Sequence, residues 1–121
     1  MKKKILLVDD EQDILTVIST RLSVMGYDVV CAADGQEALE AARRDSPDLI
    51  LLDLMLPELD GDKVCRMLKS DKAYEQIPII IFSAKASAAD KKLATEAGAN
   101  AFLAKPFDMK DFTDTIKKFL G

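Results

Sequence analysis

The sequence predicts an α/β domain built on a doubly wound parallel sheet. Strand-like and helix-like segments alternate five times along the 121 residues, a (βα)5 pattern. Alternation of this kind implies a parallel sheet with helices on both faces. The strand-like runs are apolar throughout instead of alternating, as strands buried on both sides are. Four of them also end in polar residues. Ile5-Leu6-Leu7-Val8 runs into Asp9-Asp10, and Leu49-Ile50-Leu51-Leu52 into Asp53. Ile79-Ile80-Ile81-Phe82 runs into Ser83, and Ala101-Phe102-Leu103-Ala104 into Lys105. In a parallel sheet these ends emerge together at one edge.

Residues 4–8 read as the first strand, rich in branched residues. A helix over 12–25 follows, with Ile14, Ile18, Leu22 and Met25 spaced by four and three. Of Ile14 and Val17, whichever faces the sheet belongs to the core. Gly26 is placed to stop this helix in a left-handed conformation. The second strand spans 28–32. A short helix over 36–44 buries Ala38, Leu39 and Ala42, and Ser46-Pro47 ends it. The third strand covers 48–52.

Met55 to Gly61 forms a loop containing Pro57 and Asp60, before a helix over 62–70 around Val64, Met67 and Leu68. The fourth strand spans 77–82, with Pro78 acceptable only near its start. Ser87-Ala88-Ala89-Asp90 has capping-box form and opens a helix running to about Ala97-Gly98. The fifth strand is 100–104. Asp108 caps a last helix whose Met109, Phe112, Ile116 and Phe119 share one face. Right-handed crossovers leave few topologies for this pattern. The flavodoxin-like strand order 2-1-3-4-5 is the expected one, with its crevice outside the carboxyl ends of strands 1 and 3. Asp9-Asp10 and Asp53 stand at those two ends.

Composition narrows the function. Apolar residues make up 49% and charged residues 31%, and the formal net charge is −4. That balance suits a soluble globular domain and argues against a nucleic-acid surface, which needs a basic patch. Apolar runs of four or five residues are far short of the roughly 20 needed to span a membrane. Lys2-Lys3-Lys4 is no signal peptide, because the apolar stretch stops at Asp9. A cytoplasmic location is the expectation. Cys31 and Cys65 lack CxxC spacing and read as small buried apolar residues, with no disulfide between them. The chain has no histidine, which removes the usual general base and the usual zinc ligand. A phosphohistidine taking part in its chemistry must belong to another protein.

Three carboxylates meeting in one crevice repel, and a divalent cation relieves the repulsion. Magnesium takes oxygen ligands and commonly combines one or two carboxylates with water and phosphate oxygens. Manganese can substitute. Asp10 and Asp53 read as direct ligands, Asp9 as a helper directly or through water, and the Met55 carbonyl as a further donor. A strand-end carboxylate can also be a nucleophile that forms an aspartyl phosphate. Lys105 supplies a mobile point charge for a phosphoryl oxygen, and Ser83 a hydroxyl donor. Ala84 is small and leaves the site open.

These residues carry a family resemblance. From about Lys4 to Phe119 the chain resembles the receiver domain of bacterial response regulators, the chemotaxis-regulator-like fold. The matching residues are Asp9-Asp10, Asp53 within Leu-Leu-Asp-Leu-Met-Leu-Pro, Pro57 with Asp60-Gly61, Ser83-Ala84, and Lys105-Pro106-Phe107. Each is weak alone, but five in order are specific. The resemblance implies one receiver domain over 1–121, of the stand-alone type, with Asp53 accepting a phosphoryl group from a partner histidine kinase or phosphotransfer protein. It implies Asp10 and Asp53 as magnesium ligands supported by Asp9, Lys105 and Ser83 on the phosphoryl group, and a cis Lys105-Pro106 peptide. It also implies a switch coupling Ser83 to Phe102, and an output face made by helix 4, strand 5 and helix 5. Serine and phenylalanine at these positions are accepted variants of the commoner threonine and tyrosine.

The blander readings are a solvated turn for Asp9-Asp10, a helix cap for Asp53, a surface lysine at 105 and plain core for Phe102. Convergence of Asp9-Asp10, Asp53, Ser83 and Lys105 on one edge favours the site; Phe102 reads either way. Gln12, Ile14 and Val17, with Pro106 and Phe107, lie where a kinase would touch. The expected chain is a signalling switch that assists its own phosphorylation and dephosphorylation, not an enzyme acting on a separate substrate. It is a monomer or a phosphorylation-dependent dimer through helices 4 and 5. A truncated receiver of a DNA-binding regulator would look the same. A haloacid dehalogenase-type phosphohydrolase fits less well, since it needs an acid where Met55 stands. An interaction module that no longer responds to phosphate is the other rival.

Overall fold

Because the apolar runs cannot shed their buried faces, they assemble side by side. The computed structural model describes residues 2–121. In it, β1 (Lys4–Val8), β2 (Asp28–Ala32), β3 (Leu49–Asp53), β4 (Ile79–Ser83) and β5 (Ala101–Ala104) form one parallel sheet ordered β2-β1-β3-β4-β5. The crossovers are α1 (Gln12–Val24), α2 (Gly35–Asp45), α3 (Gly61–Lys69) and α4 (Ala88–Glu96), and α5 (Met109–Leu120) closes the chain. This is the expected doubly wound (βα)5 topology, strand order included.

Side chains alternate across a strand, so each central strand feeds two cores. Leu6, Val8, Ile50, Leu52, Ile79 and Ile81 pack with Ala38, Val64, Cys65 and Ala94 from α2, α3 and α4. Ile5, Leu7, Leu49, Leu51, Ile80 and Phe82 pack with Leu15, Ile18, Leu22, Phe112 and Ile116 from α1 and α5. Every residue of β3 and β4 is buried, which explains why their sequences carry no polar alternation.

Several local expectations shift. In α1 the buried stripe is Leu15, Ile18 and Leu22. Ile14 is half-buried against the same core while Val17 is exposed. In α3 Cys65 is buried, as expected of it, but Met67 turns outward, since a stripe at 64, 65 and 68 fits the helical period as well as one at 64, 67 and 68. Met109 is exposed at the start of α5. Cys31 is exposed, contrary to the core reading. It lies on β2, an edge strand with a neighbour on one side only. The fourth strand begins at Ile79, not 77, because Pro78 has no N–H to donate; the Ile79 N–H is instead taken by Asn100 Oδ1 at 2.9 Å.

The register places the polar ends. Val8 pairs with Leu52, so Asp9 and Asp53 follow side by side. Asp53 pairs with Phe82, and Ser83 with Ala104, so Ser83 and Lys105 emerge next along the edge. Gly61 locks the far side of β3: a Cβ there would clash with the Asp53 carbonyl oxygen, while the Gly61 N–H donates to Leu54 O at 2.9 Å. Only glycine lets α3 start so close to the strand end. The capping box at Ser87 and Asp90 is formed in both directions, and Asp108 caps α5 through Lys110 N.

Candidate functional site

Asp53 is the last residue of β3 and only 4% exposed. One carboxylate oxygen, Oδ1, accepts from the Met55 N–H at 3.1 Å, which fixes its rotamer. Oδ2 lies 3.4 Å from Lys105 Nζ. Asp9 is fully buried; its Oδ1 accepts from the Glu11 N–H at 2.9 Å and its Oδ2 from Lys105 Nζ at 2.8 Å. The ammonium therefore sits nearer Asp9 than Asp53, a preference not evident from spacing. It also lies 4.6 Å from the centre of the Phe82 ring, which gives it a cation–π floor.

Asp10 is exposed at the mouth. Carboxylate oxygens of Asp9, Asp10 and Asp53 lie within 4.8 Å of one another. Ser83 is fully buried, and its Oγ accepts from the Lys85 N–H at 3.0 Å. Asp10, Glu11, Asp53, Met55, Ser83, Ala84 and Lys105 line a cavity of about 360 Å³. Glu11 was not singled out from sequence, although it directly follows the acidic pair. The Lys105-Pro106 peptide is cis.

Phe102 is half-buried and packs on the α2–α3–α4 side of the sheet. It pairs with Ile81, two residues before Ser83, so its ring and the Ser83 side chain share one face of the sheet. Met55 is exposed at the cavity rim. On the other side of the opening, Ile14, Val17, Pro106, Phe107 and Met109 line an apolar groove of about 410 Å³ that touches Lys105. Among the described residues, no helix is long and apolar enough to cross a membrane.

The electrostatics follow from burial. Removing Asp53 from water pushes its carboxyl up from 3.8 to about 6; the Met55 N–H and Lys105 oppose that rise and the Asp9 charge adds to it. Burial works against the Lys105 ammonium, but its hydrogen bond to Asp9 and the charges of Asp53 and Asp9 prevail and raise its pKa. Three carboxylates against one ammonium leave the site with excess negative charge. Closely spaced, all-oxygen donors with an exposed member at the mouth fit a hard divalent cation that keeps part of its water shell. They do not fit a soft metal, since neither cysteine is near.

Comparisons with known proteins agree with this geometry. The family model for the response regulator receiver domain matches residues 5–117. The alkaline phosphatase synthesis transcriptional regulatory protein PhoP of Bacillus subtilis (strain 168) is 45% identical over 99% of this chain and 49% of its own length. The chain thus spans about half the length of the curated relatives it matches. The receiver domain of the sensor histidine kinase PA1611 of Pseudomonas aeruginosa PAO1, solved with a magnesium ion in its active-site cleft, superimposes with a TM-score of 0.92 at 36% identity over 100% of this chain and 99% of that one. The chemotaxis protein CheY4 of Vibrio cholerae gives 0.92 at 30% identity over 98% and 99%. The chain belongs to the response regulator receiver domain family, the phosphorylation-controlled switches of two-component signalling.

Proposed function

We propose that Asp53 accepts a phosphoryl group from a phosphohistidine of a partner kinase or phosphotransfer protein, and that the chain then presents an altered protein-binding face. The observation that carries this reading is the buried Asp53 carboxylate, held by the Met55 N–H beside Asp9, Asp10 and Lys105 in an open cavity. An oxygen of Asp53 attacks phosphorus, the P–N bond breaks, and the histidine nitrogen leaves with the electron pair. Hydrolysis ends the phosphorylated state: a water oxygen attacks phosphorus, the bond between phosphorus and the Asp53 oxygen breaks, and inorganic phosphate leaves with the carboxylate restored.

Asp10 and Asp53, with Asp9 and the Met55 carbonyl in support, would hold magnesium, or manganese in its place; the bound cation supplies Lewis-acid stabilisation of phosphoryl oxygens. Lys105 moves from its shared position between Asp9 and Asp53 onto a phosphoryl oxygen. Ser83 exchanges its bond with the Lys85 N–H for one that it donates to the phosphoryl group. That movement opens space on the face it shares with Phe102, whose ring turns inward, and the α4–β5–α5 face changes shape. A cytoplasmic histidine kinase or phosphotransfer protein is the upstream partner. A target protein is the downstream one, with the chain a monomer or a phosphorylation-dependent dimer. The likeness to half of a transcriptional regulatory protein supports a second reading, in which the same switch governs a DNA-binding output.

Phosphoramidate, whose P–N bond resembles that of phosphohistidine, tests the acceptor. After borohydride reduction and peptide mass spectrometry, an acyl phosphate at Asp53 yields homoserine at position 53. Reduction at any other acidic position contradicts the proposal.

A further inference from the structure

One ion pair outside the site leads into it. Asp90, in the first turn of α4, divides its carboxylate between two tasks. Oδ2 accepts from the Ser87 N–H at 3.1 Å and from the Ser87 hydroxyl at 2.6 Å, while Oδ1 faces the Lys85 ammonium at 3.9 Å. The capping box thereby holds Asp90 in one orientation.

Lys85 is built differently. Its backbone N–H is tied to Ser83 Oγ at 3.0 Å, which anchors it beside the site, but its side chain is 61% exposed. The four-carbon stem is free to swing. Lys85 and Asp90 line a cavity of about 380 Å³ together with Asp10 and Met55, and the latter two also line the cavity that holds Asp53. Asp10, Asp60 and Asp62 line the same cavity, but Asp90 is the carboxylate that Lys85 pairs with, and charge that builds on Asp53 offers the ammonium a rival destination. Lys105 cannot neutralise that added charge alone, since Asp9 and Asp53 already share it at 2.8 and 3.4 Å.

We propose that Asp90 is a positioning residue that sets how firmly a phosphoryl group is held on Asp53, by competing with that group for the Lys85 ammonium. The proposal rests on the reading of Asp53 as the phosphoryl acceptor. Asp90 is oriented by the helix cap and Lys85 by Ser83, so the competition connects the first turn of α4 to the occupancy of the site.

Beryllium fluoride, a phosphoryl mimic, provides the test. Its affinity in the presence of magnesium is measured by calorimetry for wild type, Asp90→Asn, Lys85→Gln and the double variant, with circular dichroism confirming each fold. Asn at 90 still offers an oxygen to the Ser87 N–H. Exposed ion pairs of this kind predict that Asp90→Asn binds beryllium fluoride about two- to fivefold more tightly, and that Lys85→Gln binds it more weakly by a similar factor. In the Lys85→Gln background the Asp90→Asn gain should largely disappear. An equal gain in both backgrounds would mean a general charge effect and overturn the proposal, as would no change in either single variant. Because Lys85 is exposed, its variant keeps the test open even where α4 loosens in the other. Failure of the wild type to bind beryllium fluoride would instead overturn the acceptor reading itself.

Discussion

Asp53→Asn should stabilise the magnesium-free protein at neutral pH. In the folded chain burial lifts the Asp53 carboxyl from 3.8 to about 6, more than the Met55 N–H and Lys105 can offset. The folded state keeps its proton up to about pH 6, whereas the unfolded chain releases it near 3.8. Between those values the folded state binds more protons, so stability falls as pH rises through the window and stays lower above it. At about 1.36 kcal/mol per pKa unit, the ionised carboxylate costs the fold about 3 kcal/mol at pH 7. Asparagine stays neutral and can still accept from the Met55 N–H, so the variant should gain on the order of 1–3 kcal/mol. Urea unfolding in chelator from pH 4 to pH 8 measures this, and the gap between the proteins should close toward pH 4. Saturating magnesium should reverse the order, because a cation that binds only the folded state stabilises wild type more than a variant lacking one of its carboxylates. A variant less stable than wild type at pH 7 in chelator, or a gap independent of pH, would refute the reasoning.

Lys105→Met leaves the fully buried Asp9 without its cation. It should cost about 3–5 kcal/mol in chelator, and less with magnesium present, in the same unfolding assay. Gly61→Ala forces a Cβ against the Asp53 carbonyl oxygen. A loss of about 1–3 kcal/mol is expected, together with weaker magnesium binding by calorimetry, since the end of β3 must move. The two thiols should separate sharply toward Ellman's reagent. Cys31 is exposed and reacts in the native state, whereas Cys65 is buried and its thiol is pushed up by burial to about 11, so it reacts only on unfolding. Equal rates for both would contradict the packing of α3.

The sequence was most readable where one physical requirement acted alone. Strands buried on both faces must be apolar throughout, so Ile5–Val8, Leu49–Leu52 and Ile79–Phe82 announced themselves, and the first polar residue after each marked the sheet edge. The convergence of Asp9, Asp10, Asp53, Ser83 and Lys105 then followed from topology. Helix faces were less readable. Cys65 was readable as a small buried residue, but Met67 also suits the stripe of α3, and its exposure follows only from the packing that seats Cys65 Sγ 3.4 Å from the Ala97 carbonyl oxygen. The exposure of Cys31 was within reach, since strand order 2-1-3-4-5 already put its strand at an edge. The preference of Lys105 for Asp9 over Asp53 depends on differences of less than an ångström between side chains, which spacing along a chain does not encode. The same holds for the Lys85–Asp90 pair. The capping box was visible, but what its second carboxylate oxygen faces depends on how the β4–α4 loop folds back.

The central claim is that Asp53 is a magnesium-assisted phosphoryl acceptor, and intact mass spectrometry tests it most directly. Wild type and Asp53→Asn are incubated with acetyl phosphate, with magnesium and with chelator, and sampled over time. The account predicts one added phosphoryl group on wild type, dependent on magnesium and absent from the variant. An adduct that persists in Asp53→Asn or forms equally well in chelator would contradict it, as would a folded wild type that neither gains mass nor consumes the donor.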